Sequence, residues 1–542
     1  MGKLGITTTY EDVKNLSVGE TLERSAEIVP HKVCVFFKDD RLTYNELNQQ
    51  SNALAVSLQK MGIEKGDRVS IYMSSCPEFF IAFYALQKIG TIVAWANPAY
   101  RSEELRFILS NSQAKAVFVQ KGDGDSDNLA LIQSLRGSLP DLSHVIALGA
   151  GLGDEVIAFE DALLSGRKQK YMKPDIDIHR DLSMLIYTSG TTGVPKGSMI
   201  THYQAVRGGF SYVYGVEATA DDIFVGILPM SHSYGCGSTL IQPILIQASV
   251  ILFEKFDPEE VFKAIDTEKA TLQHGAPTHY ILEINHPNVD KYDLSSLRAG
   301  YLAGQICPEE IIEWGEKKGI YLSSFWGNSE IGPGPGTVSP RGTPVEIRKK
   351  CVGKPIFGTE AKAINSDTGE EVEVGEIGEL MVRGPHVLKG YWNNQAETDK
   401  QLEKDGWLHT GDLVSINDDG FIRIYGRNKD LINRGGLKIY PSEIESLILQ
   451  HSDVVQACVV GTPNPVLGES ICACIIPRGG VTVSLKEIRD LLKDKVAKHK
   501  LPDELLIISD FPKLAGGVKI KKYGPGGVQE MASTDKNREK VR

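Results

Sequence analysis

Between residues 33 and 119 of this 542-residue chain, short β-rich runs alternate with amphipathic helical ones, and no other feature constrains the fold as much. Val33–Phe37 is rich in strand formers. Thr43 and Glu46 pair as a capping box that opens a helix, along which Leu47, Leu54, Leu58 and Met61 recur at helical spacing. Arg68–Met73 then reads as a strand, Glu78–Lys88 as a helix, Thr91–Ala96 as a strand, Ser102–Ser110 as a helix and Ala114–Val119 as a strand. Strands joined through helices pair parallel, and a parallel sheet needs helices on both faces. The expected class is α/β with doubly wound sheets. A chain this long exceeds one core, so two or more domains are expected. From about residue 350 the texture changes to short β-rich runs set off by glycine, such as Gly375–Val382 and Gly420–Ile424.

Charge narrows the partners. The chain carries 59 Lys and Arg against 70 Asp and Glu, a net charge of −11, which argues against nucleic-acid binding through phosphate neutralisation. Residues 430–542 hold 17 basic and 14 acidic residues, so a mildly basic piece sits beside an acidic body and suits an anionic ligand. The N-terminus has no apolar signal region. The most apolar stretch, Phe79 to Ala96, is broken by Gln87, Lys88 and Gly90 and divides into a helix and a strand, so no integral membrane segment is expected and the expected compartment is cytoplasmic. The 8 cysteines include no CxxC pair. Cys472 and Cys474 share one face of a strand and read as buried thiols. No pattern fixes an oligomeric state, and a homodimer is compatible with the sequence.

The segment Leu182–Gly197, LSMLIYTSGTTGVPKG, concentrates the chemistry. An apolar strand runs into Thr188, Ser189, Gly190, Thr191, Thr192 and Gly193, followed by a Pro195-Lys196-Gly197 turn. Small residues let backbone N–H groups and hydroxyls close on a phosphate, and Lys196 adds charge. The spacing is not that of a Walker A loop. The run 149–154, GAGLGD, has Asp154 where a dinucleotide fingerprint needs its third glycine, and reads as a loop.

This loop resembles the signature of the adenylate-forming superfamily: acyl-CoA synthetases, peptide-synthetase adenylation domains and luciferases. The resemblance runs from about residue 20 to 525. Leu228-Pro229-Met230-Ser231-His232-Ser233-Tyr234-Gly235 is similar to its LP-x-x-H-x-x-G segment, and Trp326-Gly327-Asn328-Ser329-Glu330 to its aromatic-G-x-T-E segment, with Ser329 for threonine. Gly375-Glu376-Ile377-Gly378-Glu379-Leu380 with Val382-Arg383-Gly384, then Gly406-Trp407-Leu408-His409-Thr410-Gly411-Asp412, then Tyr425-Gly426-Arg427-Asn428-Lys429-Asp430 with Gly435-Gly436, follow in the family's order.

The resemblance implies a large N-terminal domain (1–428) with doubly wound sheets and a small β-barrel subdomain, and a small mobile α+β C-terminal domain (429–542) hinged at Lys429. It implies an ATP-dependent carboxylate–CoA ligase that forms an acyl-adenylate with release of pyrophosphate, then an acyl-CoA thioester with release of AMP. ATP, Mg²⁺ and coenzyme A are the implied cofactors and co-substrates, and a small-molecule carboxylic acid is the partner. Thr188 to Gly193 and Lys196 would meet the phosphates. Glu330 would hold Mg²⁺, a hard cation that takes oxygen ligands. Asp412 and Arg427 would bind the ribose, with Trp326, Gly327, Asn328 and Ser329 on one side of adenine and Gly304, Gln305 and Ile306 on the other. His232, Gly235, Cys236, Gly237, Gly327 and Gly332 would border the acyl group, with His232 positioning it. Gly435, Gly436 and Lys438 would meet CoA, the glycines leaving room for its narrow pantetheine arm. Thr188, Glu330, His232 and Lys519 make up the expected catalytic set.

Two departures qualify the pattern. The family's closing P-x-T-x-x-G-K appears as Pro512 to Lys519 with Leu514 for threonine, one extra residue and Val518 before the lysine, so Lys521 and Lys522 compete with Lys519. Ser231 replaces the usual aromatic before His232. Three other functions stay open: loading of a separate carrier protein, a luciferase-like oxygenase, and a non-catalytic nucleotide-binding relative. Acetate-type members fill the acyl pocket with tryptophan where this chain has Gly327, so an aromatic, alicyclic or medium-chain acid is expected.

Overall fold

The computed structural model describes residues 5–122, 127–189, 195–304, 307–479, 481–513, 520–535 and 538–541. Two seven-stranded sheets form its body. The first runs Ile157–Ala158, His144–Leu148, Ala116–Gln120, Arg68–Tyr72, Ile92–Trp95, Leu182–Ser189 and Pro195–Thr201, parallel except for its last, antiparallel pair. The second runs Tyr321–Ser324, Ala299–Leu302, Leu272–Gln273, Ile223–Gly226, Ser249–Leu252, Val33–Phe37 and Asp40–Thr43, again parallel up to a final antiparallel pair.

The alternation read from the sequence is present element by element: the helices span Tyr44–Lys60, Pro77–Lys88 and Ser102–Ser112, and the Thr43–Glu46 capping box forms. Sheet membership differs from a single running alternation. Val33–Phe37 pairs with Ser249–Leu252 in the second sheet, not with Arg68–Tyr72 in the first. Periodicity reports which face is buried, not which distant strand buries it.

Helix Pro77–Lys88 is buried at every residue from Phe79 to Lys88. A helix apolar on all sides must be enclosed. Its Phe79 and Phe83 stack on Trp95, and its core cluster takes residues from both sheets, among them Val35, Ile186 and Val250. The most apolar stretch of the sequence is thus the filling between the sheets. No helix among the described residues is long and apolar enough to cross a membrane.

A four-stranded antiparallel meander follows, formed by Glu360–Ile364, Gly378–Arg383, Leu408–Ile416 and Ile422–Arg427. The C-terminal part folds around a six-stranded sheet with helices Pro441–Ile448, Leu485–Leu492 and Val528–Thr534. Its buried apolar clusters draw only on residues from Ile432 to Ala532. Cys472 and Cys474 lie in one of these clusters, fully buried, with Sγ atoms 4.0 Å apart. Residues 149–154 are a loop, as read.

Candidate active site

In the second sheet the chain passes from Ile223–Gly226 to a neighbour on one side and then returns to Leu272–Gln273 on the other. The strand order reverses there, and open parallel sheets bind ligands outside the carboxyl ends of strands at such a point. The motifs collect at these ends. Leu228 to His232 follow Ile223–Gly226, Gly304 follows Ala299–Leu302, and Trp326 to Glu330 follow Tyr321–Ser324.

The segment 326–330 joins two clusters. At one end the Trp326 indole Nε1–H donates to Asp412 Oδ2 at 2.8 Å, and Arg427 Nε donates to Asp412 Oδ1 at 3.1 Å. Asp412 and Arg427 face each other across the antiparallel strands Leu408–Ile416 and Ile422–Arg427, which fixes their spacing. The Asp412 charge raises the Arg427 pKa. Trp326 is only 3% exposed and packs on Gly336, where an added Cβ would lie 2.6 Å from the indole. Each Asp412 oxygen carries one donor, which leaves acceptor capacity for further hydroxyls.

At the other end Glu330 sits in the turn Ser329–Ile331, capped by the Asn328 side chain, which accepts from Ile331 N–H at 3.2 Å. The Tyr391 hydroxyl donates to Glu330 Oε1 at 3.0 Å. Burial and the Glu330 carboxylate push the Tyr391 phenol well above its ordinary value. Lys196 Nζ lies 5.6 Å from the Tyr391 ring centroid and forms an ion pair with Glu397. Ser329 Oγ lies 3.5 Å from Ser233 Oγ, beside His232. His232 is exposed, and its Nδ1 accepts from Tyr234 N–H at 3.2 Å, so it caps the short helix Ser233–Gly235.

Several sequence expectations change. Pro195-Lys196-Gly197 is no turn: it begins the strand Pro195–Thr201, with Lys196 opposite Thr188 and Pro195 opposite Ser189. Gly190, Thr191, Thr192 and Gly193 lie outside the described residues, as do Gln305, Ile306 and Lys519.

Gly235 and Gly237 have a packing reason for being glycine. A Cβ on Gly235 would lie 2.1 Å from the Pro229 carbonyl oxygen, and one on Gly237 would lie 1.6 Å from that of Pro333. They seat a helix against backbone, and Cys236 between them is fully buried. That helix widens to π geometry over Cys236–Ile241, a distortion common at functional sites. Gly332 takes a left-handed φ of +79°. Gly327 is exposed, yet its Cβ direction is bounded by the Gly334 carbonyl oxygen at 3.0 Å and the Phe325 ring at 3.2 Å.

In the C-terminal part, Gly435 and Gly436, with φ of +60° and +85°, make the tight turn between Ile432–Arg434 and Leu437–Ile439. A two-residue hairpin turn with positive φ at both positions favours glycine without reference to any ligand. Lys438 is exposed, 3.5 Å from Asp367. Lys429 sits in the turn Asn428–Asp430 between the meander and the C-terminal sheet, its pKa lowered by lost hydration and by the Arg427 charge. Lys522, a rival for the closing lysine, is paired with Glu445 at 2.7 Å inside the C-terminal part.

Tyr391, Glu397 and Gln401 escape sequence reasoning. No periodicity marks them; the only signal is Gly390-Tyr391-Trp392 in a polar stretch. Backbone pairing places them, because Met199 N–H donates to Gly390 O at 3.0 Å and Trp392 N–H to Gly197 O at 2.8 Å. These bonds lay residues 390–392 along the Lys196 strand.

The AMP-binding enzymes match residues 22–392, and the AMP-binding enzyme C-terminal domain matches residues 443–517. The chain is 34% identical over 535 residues to YngI of Bacillus subtilis (strain 168), covering 94% of this chain and 96% of that one. It is 31% identical over 531 residues to the long-chain-fatty-acid–CoA ligase of the same organism, covering 94% of each. Its fold matches the crystal structure of the anthranilate CoA ligase AuaEII in complex with anthranoyl-AMP at a TM-score of 0.86 and 26% identity, with 95% and 97% of the two chains covered. Matched along most of its length in sequence and in fold, the chain belongs to the AMP-binding enzymes, the adenylate-forming superfamily.

Proposed function

We propose that the protein is an AMP-forming acid–CoA ligase acting on an acid larger than acetate, through an acyl-adenylate. The observation that carries this reading is the continuity of segment 326–330: Trp326 leads to Asp412 and Arg427, groups suited to a nucleoside, and Glu330 leads through Tyr391 to Lys196, groups suited to phosphates and their cation.

In the first half-reaction a carboxylate oxygen attacks the α-phosphorus of ATP and the bond to the β-phosphate oxygen breaks, releasing pyrophosphate. Positioning and electrostatics supply most of the acceleration in such transfers. Asp412, with acceptor capacity left on both oxygens, takes the ribose hydroxyls, and Arg427 holds that carboxylate in place. Trp326 packs at adenine beside Gly304, Gln305 and Ile306. Thr188, the loop beyond Ser189, and Lys196 meet the phosphates.

The donors at Glu330 fit Mg²⁺: one carboxylate oriented by a phenol, with no cluster of three acidic, His or Cys ligands among the described residues. Mg²⁺ is held by one or two carboxylates and completes its shell with phosphates and water. When bound it supplies positive charge against the phosphates.

His232, which caps the helix Ser233–Gly235 through Nδ1, positions the carboxylate of the acid. Lys519 is the adenylation lysine. The engagement of Lys522 with Glu445 supports that choice. In the second half-reaction the CoA thiol sulfur attacks the acyl carbon, the acyl–phosphate C–O bond breaks, AMP leaves and the thiol proton passes to solvent. Domain 429–542 turns at Lys429 between the steps and brings the Gly435–Gly436 hairpin and Lys438 to CoA. The lack of a side chain at Gly327, where acetate-type members of the family carry tryptophan, favours an aromatic, alicyclic or medium-chain acid.

The test is pyrophosphate release across a panel of acids, with and without CoA. The reading expects acid-dependent release, completed to AMP and thioester only with CoA, and slight activity with acetate. Turnover that ignores CoA overturns it.

A further inference from the structure

Beyond Tyr391, which orients Glu330, Lys196 and Tyr391 reach two further side chains, Glu397 and Gln401, that have no part in the reaction above. Lys196 and Glu397 lie 201 residues apart and form an ion pair with side chains only 7% and 14% exposed. Gln401 Nε2 donates to Glu397 Oε1 at 3.2 Å, and Tyr391 separates this pair from Glu330.

The arrangement holds Glu397 fixed and ionised. Its backbone N–H is capped by Asn394 Oδ1 at 3.1 Å, in the first turn of helix Gln395–Gln401, where the helix dipole favours negative charge. The Lys196 hydrogen bond holds its carboxyl below the usual range. The pairing of residues 389–392 with the Lys196 strand keeps that segment in place. The cation offered to phosphate therefore has a carboxylate beside it.

A catalyst that releases pyrophosphate every turnover is hindered by too strong a hold on polyphosphate. We propose that Glu397 is the counter-charge that loosens the grip of Lys196 on polyphosphate, so that pyrophosphate leaves after adenylation. The inference rests on the reading of Lys196 as a phosphate-binding residue. A unit charge about 6 Å from a phosphate, at an effective dielectric near 20 and partly screened by solvent, changes its affinity roughly tenfold. Removing the Glu397 charge thus tightens binding, whereas damage to a merely structural group weakens it.

The experiment titrates magnesium pyrophosphate into the full chain calorimetrically and measures pyrophosphate inhibition of turnover. Glu397→Gln, which keeps the shape of the side chain, should bind roughly tenfold tighter and be inhibited at correspondingly lower pyrophosphate. Lys196→Met should bind more weakly, and adding Glu397→Gln to it should recover part of that loss, because the carboxylate charge also acts on the phosphate directly. If Glu397→Gln is unfolded at the assay temperature, Glu397→Asp, whose shorter arm draws the charge back from Lys196, must change affinity in the same direction. Unchanged or weaker binding by the glutamate variant, with Lys196→Met weakened, overturns the counter-charge alone. Wild-type binding by Lys196→Met overturns the phosphate role of Lys196 and the inference with it.

Discussion

Replacing Asp412 by asparagine removes one negative charge from the point where Trp326 and Arg427 meet. The carboxylate accepts from the indole at 2.8 Å on one oxygen and from the guanidinium at 3.1 Å on the other. Asparagine offers a single acceptor oxygen, so one of these donors loses its partner. A charge-assisted hydrogen bond contributes about 1.5–3 kcal/mol and a neutral one about 0.5–1.5 kcal/mol. Folding stability should fall by about 1–2 kcal/mol, with the variant still folded. If the two spare acceptor positions bind the ribose hydroxyls, one hydroxyl loses its acceptor and the other its charge assistance, about 1 kcal/mol each, near 2 kcal/mol in total, or roughly 30-fold in ATP affinity. The assay is acid-dependent exchange between ATP and pyrophosphate, run with ATP and with 2′,3′-dideoxy-ATP. The wild-type protein should prefer ATP strongly, and Asp412→Asn should lose most of that preference. An unchanged preference refutes the ribose assignment, whatever the absolute rate does.

Other outcomes follow from the same geometry. Lys519→Ala should abolish acyl-AMP formation, a loss on the order of 10²–10³ in rate, yet still convert supplied acyl-AMP and CoA to thioester. Lys522→Ala should instead destabilise the C-terminal part by about 1–3 kcal/mol, because it leaves Glu445 without its cation and with the Val459 N–H as its donor; rapid-mix half-reaction assays and thermal unfolding separate the two. Gly327→Trp should shift acid preference towards acetate and propionate at a strain of about 1–3 kcal/mol, whereas Gly237→Ala, driven into the Pro333 carbonyl, should lower the unfolding temperature without changing preference. Burial depresses His202 and His279 to about 4 and His274 and His386 to about 3, from an ordinary 6.5. The unfolded chain gains these protons first, so stability should fall as pH drops below about 6.5. Burial raises Glu283 from 4.5 to about 8, so its contribution is full below pH 4.5 and is lost as pH climbs through 8. Glu283→Gln should flatten that fall, which runs from pH 4.5 to about 8, in thermal unfolding measured against pH.

The alternation of elements was legible because burial imposes periodicity on each strand and helix separately, so Tyr44–Lys60 and Pro77–Lys88 could be read locally. Pairing partners are set by contacts far along the chain, which is why Val33–Phe37 was not legible as a strand of the second sheet. Motif order placed Trp326, Glu330, Asp412 and Arg427, and the structure brings them into linked clusters. Glycine was the least transparent letter. Gly235 and Gly237 read as room for a substrate, yet close backbone approach explains them, and Gly435–Gly436 meets the demands of its own hairpin turn. Tyr391 and Glu397 were invisible because backbone pairing of residues 390–392 with the Lys196 strand, not any side-chain pattern, carries them to the site.

The route through an acyl-adenylate makes one demand on atoms that no other route shares. The carboxylate oxygen that attacks phosphorus stays with phosphorus when the thiol takes the acyl group. An acid labelled with oxygen-18 in both carboxylate positions, turned over once with ATP and CoA, should therefore yield AMP carrying one heavy oxygen by mass spectrometry, a thioester retaining the other, and unlabelled pyrophosphate. Label appearing in inorganic phosphate with ADP as the nucleotide product, or AMP free of label, would contradict the mechanism.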